Sequence, residues 1–318
     1  MAPLFSLLRK KSVDAAPSST VAPAPSASTS VETSTEILRI GMGQLLVEGG
    51  EPQRNLERAA RMIAEAAERG CDLVLLPETL DFAWTHPSAL TEAQPIPGAF
   101  SNRLCEEAIK HNIYICAGLT EKLNGRNYNT ALLINPEGEI LVKYHKINLL
   151  SVEQPFYSVG QTLNVVDTPL GKIGVNVCAD NYIDGLAIGH TLARMGAEFI
   201  LAPASWTVDY SITEEHDPYQ EKWVRPFSIL AQLYNVAVVS TTSVGYIVGG
   251  PYEGKKSIGC SLAIDASGIR AQGTFNEFAG ELVIAEVPRP IRKEQGTAIG
   301  EMLKRKGYQF DQLPRSQA

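Results

Sequence analysis

Segments typical of strands alternate with segments typical of helices along most of this chain, and this alternation limits the fold more than any other feature. ILRIGMGQLLV, starting at Ile37, alternates like a strand, and PQRNLERAARMIAEAAERG then places apolar residues on one helical face and ends at Gly70. DLVLLP follows as a second strand, and further strands and helices continue to Val287, with hairpin turns at residues 135–138 and 265–268. The pattern predicts an α/β domain of mixed sheet.

The two ends of the chain differ from this pattern. Residues 12–34 are rich in Ser, Ala, Pro and Thr and contain no aromatic residue, so they cannot bury enough apolar surface to offset the entropy of ordering. We therefore predict a disordered tail over residues 1–36 and one domain over residues 37–287. Residues 288–318 form a charged, irregular extension, for which contact with a second subunit and fraying are the alternatives.

Charge and residue counts argue against several classes of protein. The net charge of -7 provides no basic stripe for a nucleic acid. The five cysteines form no CxxC pair and the five histidines no HExxH motif, so we expect reduced thiols, no metal and no zinc or disulfide framework. No apolar run is long enough to span a membrane, and the positive charges of MAPLFSLLRKK follow its apolar stretch instead of preceding it. We expect a cytoplasmic protein.

Three reactive residues each follow an apolar strand. Glu78 comes after DLVLLP, Lys146 after EILVKYH, and Cys178 after KIGVNV. Because sites in open α/β sheets form beyond the carboxyl ends of strands, these side chains are candidates for one site. A base such as Glu78 can make the thiol a nucleophile. Lys146 and the N–H of Ala179 can stabilise the negative charge that attack on an amide or nitrile carbon creates.

Three motifs resemble a known family. LLPET, YHKINLL and VNVCAD look like the Glu, Lys and Cys signatures of the nitrilase superfamily, the carbon–nitrogen hydrolases, and occur in the family's order. The resemblance covers residues 37–287 and implies a four-layer α-β-β-α sandwich with mixed sheets. It also implies an enzyme without a cofactor that acts on a small-molecule amide or nitrile. Subunits would form a homodimer or larger homo-oligomer through the helix after Cys178 and the helix around residues 223–234.

The resemblance also assigns roles to residues. Glu78 would be the general base, Lys146 the cation that stabilises the intermediate, and Cys178 the nucleophile that forms a covalent thioester or thioimidate. In KINLLSVEQPFYSVG, Glu153 and Gly160 match a second glutamate and a following glycine of many members. Glu153 would position the substrate or assist proton transfer.

The segment after the cysteine departs from the family pattern. CADNYIDG keeps the acid, Asp180, but lacks the Arg and the Phe-Pro-Glu found in many members, which weakens the case for the subgroups that act on N-carbamoyl amino acids. Ala179, Asn181, Tyr182 and Trp206 are candidates for substrate contact, with core packing as the alternative. Asp180 either contacts the substrate or orients the loop.

Other residues are assigned structural roles. We interpret His145 as structural because strand neighbours face opposite ways, and Lys143 as a solvated charge. The Gly-rich run at residues 246–256 lacks the spacing of a phosphate loop and is predicted to be a mobile loop near the site. We assign the remaining cysteines to the core: Cys71, Cys105, Cys116 and Cys260.

Together these features predict a thiol-dependent hydrolase of a non-peptide C–N bond. A small linear amide is the leading substrate class, with ammonia released through a Cys-linked acyl intermediate. The alternatives within the family are a nitrilase and an N-carbamoyl (ureido) hydrolase. Outside hydrolysis, the alternatives are acyl transfer to a second substrate and a non-catalytic binding or scaffold protein with the same fold.

Overall fold

The computed structural model describes residues 36–216, 220–291 and 305–307. Almost all of the predicted tail and most of the predicted extension lie outside these residues, and the predicted domain boundaries stay predictions. Within the described residues, two six-stranded mixed sheets and one three-stranded sheet form. The predicted α/β class with two facing mixed sheets is confirmed.

The strands are short, and most follow the predicted segments. They are β1 (Ile37–Gln44), β2 (Leu73–Leu75), β3 (Tyr114–Leu123), β4 (Arg126–Ile134), β5 (Ile140–His145), β6 (Val165–Thr168), β7 (Gly171–Val175) and β8 (Phe199–Ala204). The chain continues with β9 (Thr207–Val208), β10 (Ala237–Thr242), β11 (Val244–Tyr246), β12 (Lys256–Ile258), β13 (Leu262–Asp265), β14 (Gly268–Gln272) and β15 (Glu281–Pro288). The helices are α1 (Pro52–Glu68), α2 (Ala89–Glu92), α3 (Ala99–His111), α4 (Ala187–Met195) and α5 (Arg225–Tyr234).

The first sheet has the order β15-β1-β2-β3-β4-β5, and the second has the order β14-β13-β10-β8-β7-β6. In the first sheet β1, β2 and β3 are parallel neighbours, whereas in the second β7, β8 and β10 are. Antiparallel hairpins complete both sheets, including β3–β4 and β13–β14. In the centre of each sheet the parallel strands end on the same side of the sandwich. Sites of such sheets form beyond these carboxyl ends.

Alternating side chains of the first sheet pack on two different cores. Leu73 and Leu75 of β2 join a core with Val175 of β7 and Leu201 of β8 in the second sheet. Val74 instead joins residues of α1 and α3 in a separate core. Residues of α4 and α5 pack against strands of the second sheet, and their apolar side chains are continuous with this core. This arrangement gives the predicted order of layers, in which helices cover the outer faces of two sheets.

Some predicted elements differ from the structure. The run predicted as one long helix, YQEKWVRPFSILAQLYN, is a π-helical turn, Gln220–Val224, followed by α5. Pro226 lies in the first turn of α5, where its missing N–H costs no intrahelical bond. The helix predicted from IDGLAIGHTLARMG begins only at Ala187. No described helix is long and apolar enough to cross a membrane.

One side-chain assignment was wrong, at Lys143, and the core assignment of the cysteines holds only in part, since Cys105 and Cys260 lie at the edge of the cores. Lys143 is not simply solvated: its Nζ lies 2.7 Å from Oε1 of the buried Glu121 and donates to the carbonyl of Ile96 at 3.1 Å. Cys71 and Cys116 are buried as expected, but Cys105 and Cys260 are only partly buried.

Candidate active site

Glu78, Lys146 and Cys178 meet between the two sheets. Lys146 directly follows β5, while Glu78 and Cys178 lie three residues beyond the ends of β2 and β7. Lys146 Nζ lies 2.9 Å from Glu78 Oε1, and neither side chain is exposed. The charges of Glu78 and Lys146 both act on the pKa of the Cys178 thiol, which is 5% exposed. The structure therefore brings together the three residues that the strand ends predict.

Two glycines allow the chain to pass close to these residues. A Cβ on Gly118 of β3 would lie 2.5 Å from Glu78 Cα and 2.7 Å from the Thr79 nitrogen. A Cβ on Gly160 would overlap the carbonyl oxygen of His145, and the Gly160 N–H donates to the Lys146 carbonyl at 2.9 Å. Any larger residue at either position would push backbone away from the site.

The turn that carries Cys178 is locally strained. Cys178 has φ +43°, in the left-handed region that residues other than glycine rarely adopt, and begins a 3₁₀ turn, Cys178–Asn181. The Asp180 carboxylate accepts hydrogen bonds from the N–H of Val177 and the hydroxyl of Tyr144, at 2.9 and 2.7 Å. It also accepts from the Asn148 N–H at 2.9 Å, so it ties the turn to the segment after Lys146. These contacts favour the orienting role for Asp180.

Glu153 is buried and accepts hydrogen bonds from every side. Lys146 Nζ lies 2.8 and 2.9 Å from its two oxygens. Trp84 Nε1 donates to Oε1 at 2.8 Å, and the Leu150 N–H donates to Oε2 at 2.8 Å. Asn129 Nδ2 completes the set at 3.3 Å. All these neighbours are donors, so the position suits a group that accepts hydrogen bonds and donates none.

One carboxylate oxygen of Glu78 accepts hydrogen bonds, and the other has no partner among the described residues. Asn129 Nδ2 donates to Oε1 at 2.6 Å, on the same oxygen that Lys146 contacts. Among the described residues, Oε2 has no hydrogen-bond partner although it is buried. A carboxylate oxygen without a donor can accept a proton from a neighbouring thiol or water.

Asn129 and Trp84 also belong to the site, although they were not predicted from the sequence. Asn129 lies in β4 and contacts both glutamates, and Trp84 follows the Glu78 strand and contacts Glu153. A polar amide at the start of the apolar run NTALLI was the available signal for Asn129. No comparable signal marks Trp84, since an aromatic residue after a strand is usually part of a core.

The protonation states follow from burial and from the charge of Lys146. Burial raises the pKa of Glu78, with the charge of Glu153 adding to this and Lys146 opposing it. Burial and the charge of Glu78 also raise the pKa of the Cys178 thiol, against Lys146 and a hydrogen bond from the Ser205 N–H. Burial alone would lower the pKa of Lys146, but Glu153 and Glu78 outweigh it and keep the amine charged. Glu78 and Cys178 therefore compete for a proton beside a fixed positive charge.

The remaining predicted residues surround Cys178. Ala179 is buried in the same turn. Asn181 exchanges two side-chain hydrogen bonds with Asn176, both 2.9 Å, which favours a structural role. Trp206 is 2% exposed and stacks on Trp223 with ring centroids 4.2 Å apart, so it packs in the core beside the site.

Tyr182 continues this aromatic group. Its ring lies 4.9 Å from that of Trp223, and burial raises the pKa of its phenol, with the charge of Cys178 adding to this. Its phenol therefore lies close enough to the thiol for their charges to interact. Contact with a substrate remains a prediction for this residue.

A cavity lies against the site, and part of the Gly-rich run borders it. Trp84 and Ser205 line one side, and Tyr246, Ile247 and Val248 line another. Trp84 also bonds with Glu153, and the Ser205 N–H with Cys178, but neither Glu153 nor Cys178 lines the cavity, whose volume of about 20 Å³ has room for about one water. The predicted location of the loop agrees with this geometry, whereas its mobility stays a prediction.

Known proteins resemble this chain in sequence and in fold. The family model described as carbon-nitrogen hydrolase matches residues 39–294. Omega-amidase NIT2 of Xenopus tropicalis is 31% identical over 180 residues, which cover 54% of this chain and 64% of that protein. A nitrilase of Pyrococcus abyssi is 35% identical over 166 residues, 51% of this chain and 62% of its own length. The chain thus spans less than two thirds of these relatives.

Solved structures resemble the fold. An amidase from Nesterenkonia sp. has a TM-score of 0.69 at 20% identity, over 83% of this chain and 95% of that one. A mutant of the Nesterenkonia sp. AN1 amidase, which carries the result of Michael addition of acrylamide at its active-site cysteine, has a TM-score of 0.68 at 20% identity. That match covers 79% of this chain and 93% of the other. At this level of identity the likeness shows a common fold.

Proposed function

Since the chain belongs to the carbon–nitrogen hydrolase family, we propose that it hydrolyses the C–N bond of a small linear amide and releases ammonia through an acyl group on Cys178. The observation that carries this proposal is the buried set of Glu78, Lys146 and Cys178, with a free oxygen on Glu78. An amidase of similar fold and relatives named omega-amidase support amides as the substrate class.

The first half of the reaction forms the acyl intermediate. Glu78 takes the proton of the Cys178 thiol, and the thiolate attacks the amide carbon. Lys146, with the Ala179 N–H, stabilises the negative charge that forms on the carbonyl oxygen. When the C–N bond breaks, Glu78 gives its proton to the leaving nitrogen, so ammonia departs and a thioester remains on Cys178.

The second half restores the enzyme. Glu78 takes a proton from water, and the resulting hydroxide attacks the thioester carbon. The C–S bond breaks, the carboxylic acid leaves and the thiol is regenerated with the proton that Glu78 held. Glu153 holds Lys146 in place through both of its oxygens, which supports a positioning role for it.

A nitrile is the second candidate substrate, because a relative named nitrilase is 35% identical over its matched segment. Thiolate attack begins both reactions, so these three residues serve either. N-carbamoyl hydrolysis has less support, because CADNYIDG lacks the arginine found in those subgroups. The predicted pairing of subunits through α4 and α5 is also a proposal.

The test is ammonia release from matched sets of amide, nitrile and N-carbamoyl compounds with the same carbon chain. The Cys178→Ala variant is the blank. We expect release from the amides that disappears in the variant. Faster release from the nitriles would replace amidase by nitrilase, and release of carbon dioxide together with ammonia would identify an N-carbamoyl hydrolase. No release from any compound, with Cys178 inert to alkylation, would favour the scaffold alternative.

A further inference from the structure

The Gly-rich run forms the tip of a hairpin. Strands β11 and β12 are antiparallel neighbours, and residues 247–255 connect them. The Ile247 N–H donates to the Lys255 carbonyl at 2.8 Å, and the Gly254 N–H donates to the Ile247 carbonyl at 3.0 Å. These bonds close the connection into a hydrogen-bonded turn, which we call the hairpin tip.

The hairpin tip packs against a strained segment that carries Trp84. Ala83 and Thr85, on either side of Trp84, have φ of +69° and +60°, in the left-handed region that residues other than glycine rarely adopt. Such conformations persist where the surrounding structure enforces them. The tip lies directly on this segment, because a Cβ on Gly250 would be 2.6 Å from the Thr85 carbonyl oxygen.

Tyr252 of the tip contacts Trp84 itself. The two ring centroids are 5.3 Å apart at an interplanar angle of 66°, which is an edge-to-face contact. Lys255 Nζ lies 4.2 Å from the centroid of the same tyrosine ring and gives that ring a second contact within the tip. The orientation of the Trp84 indole therefore depends on where the tip holds the ring of Tyr252.

Trp84 connects this contact to Lys146. The indole Nε1 donates to Glu153 Oε1 at 2.8 Å, and such a bond weakens steeply when the donor turns away from the acceptor. Glu153 in turn lies 2.8 and 2.9 Å from Lys146 Nζ through its two oxygens. A rotation of the indole would remove one donor from Glu153 and allow the carboxylate to shift, together with the ammonium that it holds.

We propose that Tyr252 is a positioning residue for the hydrolysis, which acts on Lys146 through Trp84 and Glu153. This inference rests on the proposed function, because Lys146 stabilises the developing negative charge in that reaction. Tyr252 is connected to Lys146 by three successive contacts. Its loss should therefore slow the chemical steps more than it weakens the binding of the amide.

Two variants of Tyr252 form a matched pair, since Tyr252→Leu removes the ring and Tyr252→Phe keeps it. With an amide that the wild type hydrolyses, Tyr252→Leu should lower kcat about tenfold and change KM by less than about twofold. Tyr252→Phe should restore kcat to within about twofold of the wild type, because an edge-to-face contact needs only the ring. Wild-type kcat in Tyr252→Leu, or a change confined to KM, would overturn the inference.

Phe278→Leu controls for the loss of an aromatic ring beside the same hairpin. Phe278 is 69% exposed and packs on Tyr246 of β11, with ring centroids 5.7 Å apart. This variant should keep the kcat of the wild type. A loss equal to that of Tyr252→Leu would mean that any damage to the hairpin slows the reaction, and the inference would fail.

A double-mutant cycle tests whether Tyr252 acts through Trp84. Trp84→Phe removes the indole donor, so Tyr252→Leu has no hydrogen bond left to misalign in that background. We expect the double variant to lose no more than about twofold in kcat beyond Trp84→Phe alone. Losses that multiply would mean that the two residues act independently, which contradicts the inference.

Alkylation of Cys178 separates a failure of this inference from a failure of the proposed function. Burial and the charge of Glu78 raise the pKa of the Cys178 thiol, and Lys146 lowers it. If Lys146 is displaced in Tyr252→Leu, the pH profile of alkylation by iodoacetamide should move to higher pH by at least about half a unit. Mass spectrometry of the Cys178 peptide measures this rate.

Tyr252→Phe should return the alkylation profile to that of the wild type. A profile that does not move in Tyr252→Leu would overturn the inference, whether or not an amide is hydrolysed. A profile that moves as expected, in a protein that releases ammonia from no amide, would support the positioning of Lys146 by Tyr252 and count against the proposed function alone.

Discussion

Glu153→Gln tests whether the position of Glu153 needs a group that only accepts hydrogen bonds. The introduced amide would place an NH₂ where Glu153 now has an oxygen. If it replaced Oε2, this donor would face Lys146 Nζ and the Leu150 N–H, which now lie 2.9 and 2.8 Å away. The other orientation would face Lys146, Trp84 and Asn129. At least two charge-assisted hydrogen bonds are therefore lost in either orientation.

The expected cost follows from these contacts. Each charge-assisted hydrogen bond contributes about 1.5–3 kcal/mol, and removal of one partner of a buried ion pair costs about 3–5 kcal/mol. We expect the free energy of unfolding to fall by about 3–5 kcal/mol, measured from urea denaturation. Domains are typically stable by only about 5–15 kcal/mol, so the shift in midpoint should be large.

The same variant should change the pH dependence of activity. The charge of Glu153 helps to raise the pKa of Glu78, so its loss should lower that pKa. Because Glu78 must be ionised to act as base, the acid limb of the kcat/KM profile should move to lower pH. The maximum of kcat/KM should fall about 100-fold, since Lys146 is no longer held in position.

Glu121→Gln is the matched control. Glu121 is also buried and bound to a lysine and a histidine, Lys143 and His145, but among the described residues it has no hydrogen bond or ion pair with Glu78, Lys146, Glu153 or Cys178. The Glu121→Gln variant should lose stability without a shift of the acid limb of its kcat/KM profile. If Glu153→Gln unfolded at the urea concentration of the wild type and kept its pH profile, the reasoning about this position would be refuted.

Three further variants test the neighbours of these residues. Asn129→Ala removes a hydrogen bond that lowers the pKa of Glu78, so the acid limb of kcat/KM should move to higher pH, and an unmoved limb would count against this role. Gly118→Ala adds a Cβ 2.5 Å from Glu78 Cα, and should reduce the free energy of unfolding by about 1–3 kcal/mol in urea; wild-type stability would contradict the close approach. Trp84→Phe keeps an aromatic ring but removes the donor to Glu153, and should cost about 1.5–3 kcal/mol in the same assay, whereas no loss would mean that the bond is not formed in solution.

The strands and the three reactive residues could be predicted because they depend on local patterns. Apolar runs locate β2, β5 and β7, and sites in such sheets form beyond the carboxyl ends of strands, so Glu78, Lys146 and Cys178 were expected together. The boundaries of α4 and α5 were less predictable, because amphipathic spacing does not distinguish an α-helix from the adjoining turns.

The surroundings of the site could not be predicted because they depend on contacts between distant parts of the chain. Asn129 and Glu78 are 51 positions apart, and Trp84 and Glu153 are 69 apart. The pairing of Lys143 with Glu121 likewise depends on the register of β3, β4 and β5. No local pattern specifies such a register, so the sequence alone could not distinguish a solvated lysine from a paired one.

A comparison of two buried cysteines tests most directly whether Cys178 is the nucleophile. Cys178→Ala and Cys116→Ala each remove one buried thiol. Cys116 lies in β3 within the core and, among the described residues, has no hydrogen bond or ion pair with Glu78, Lys146, Glu153 or Cys178. Ammonia release from a hydrolysed amide should vanish in Cys178→Ala, which should remain folded by circular dichroism, and should persist in Cys116→Ala. Equal release from the two variants would contradict the assignment of Cys178 as the nucleophile.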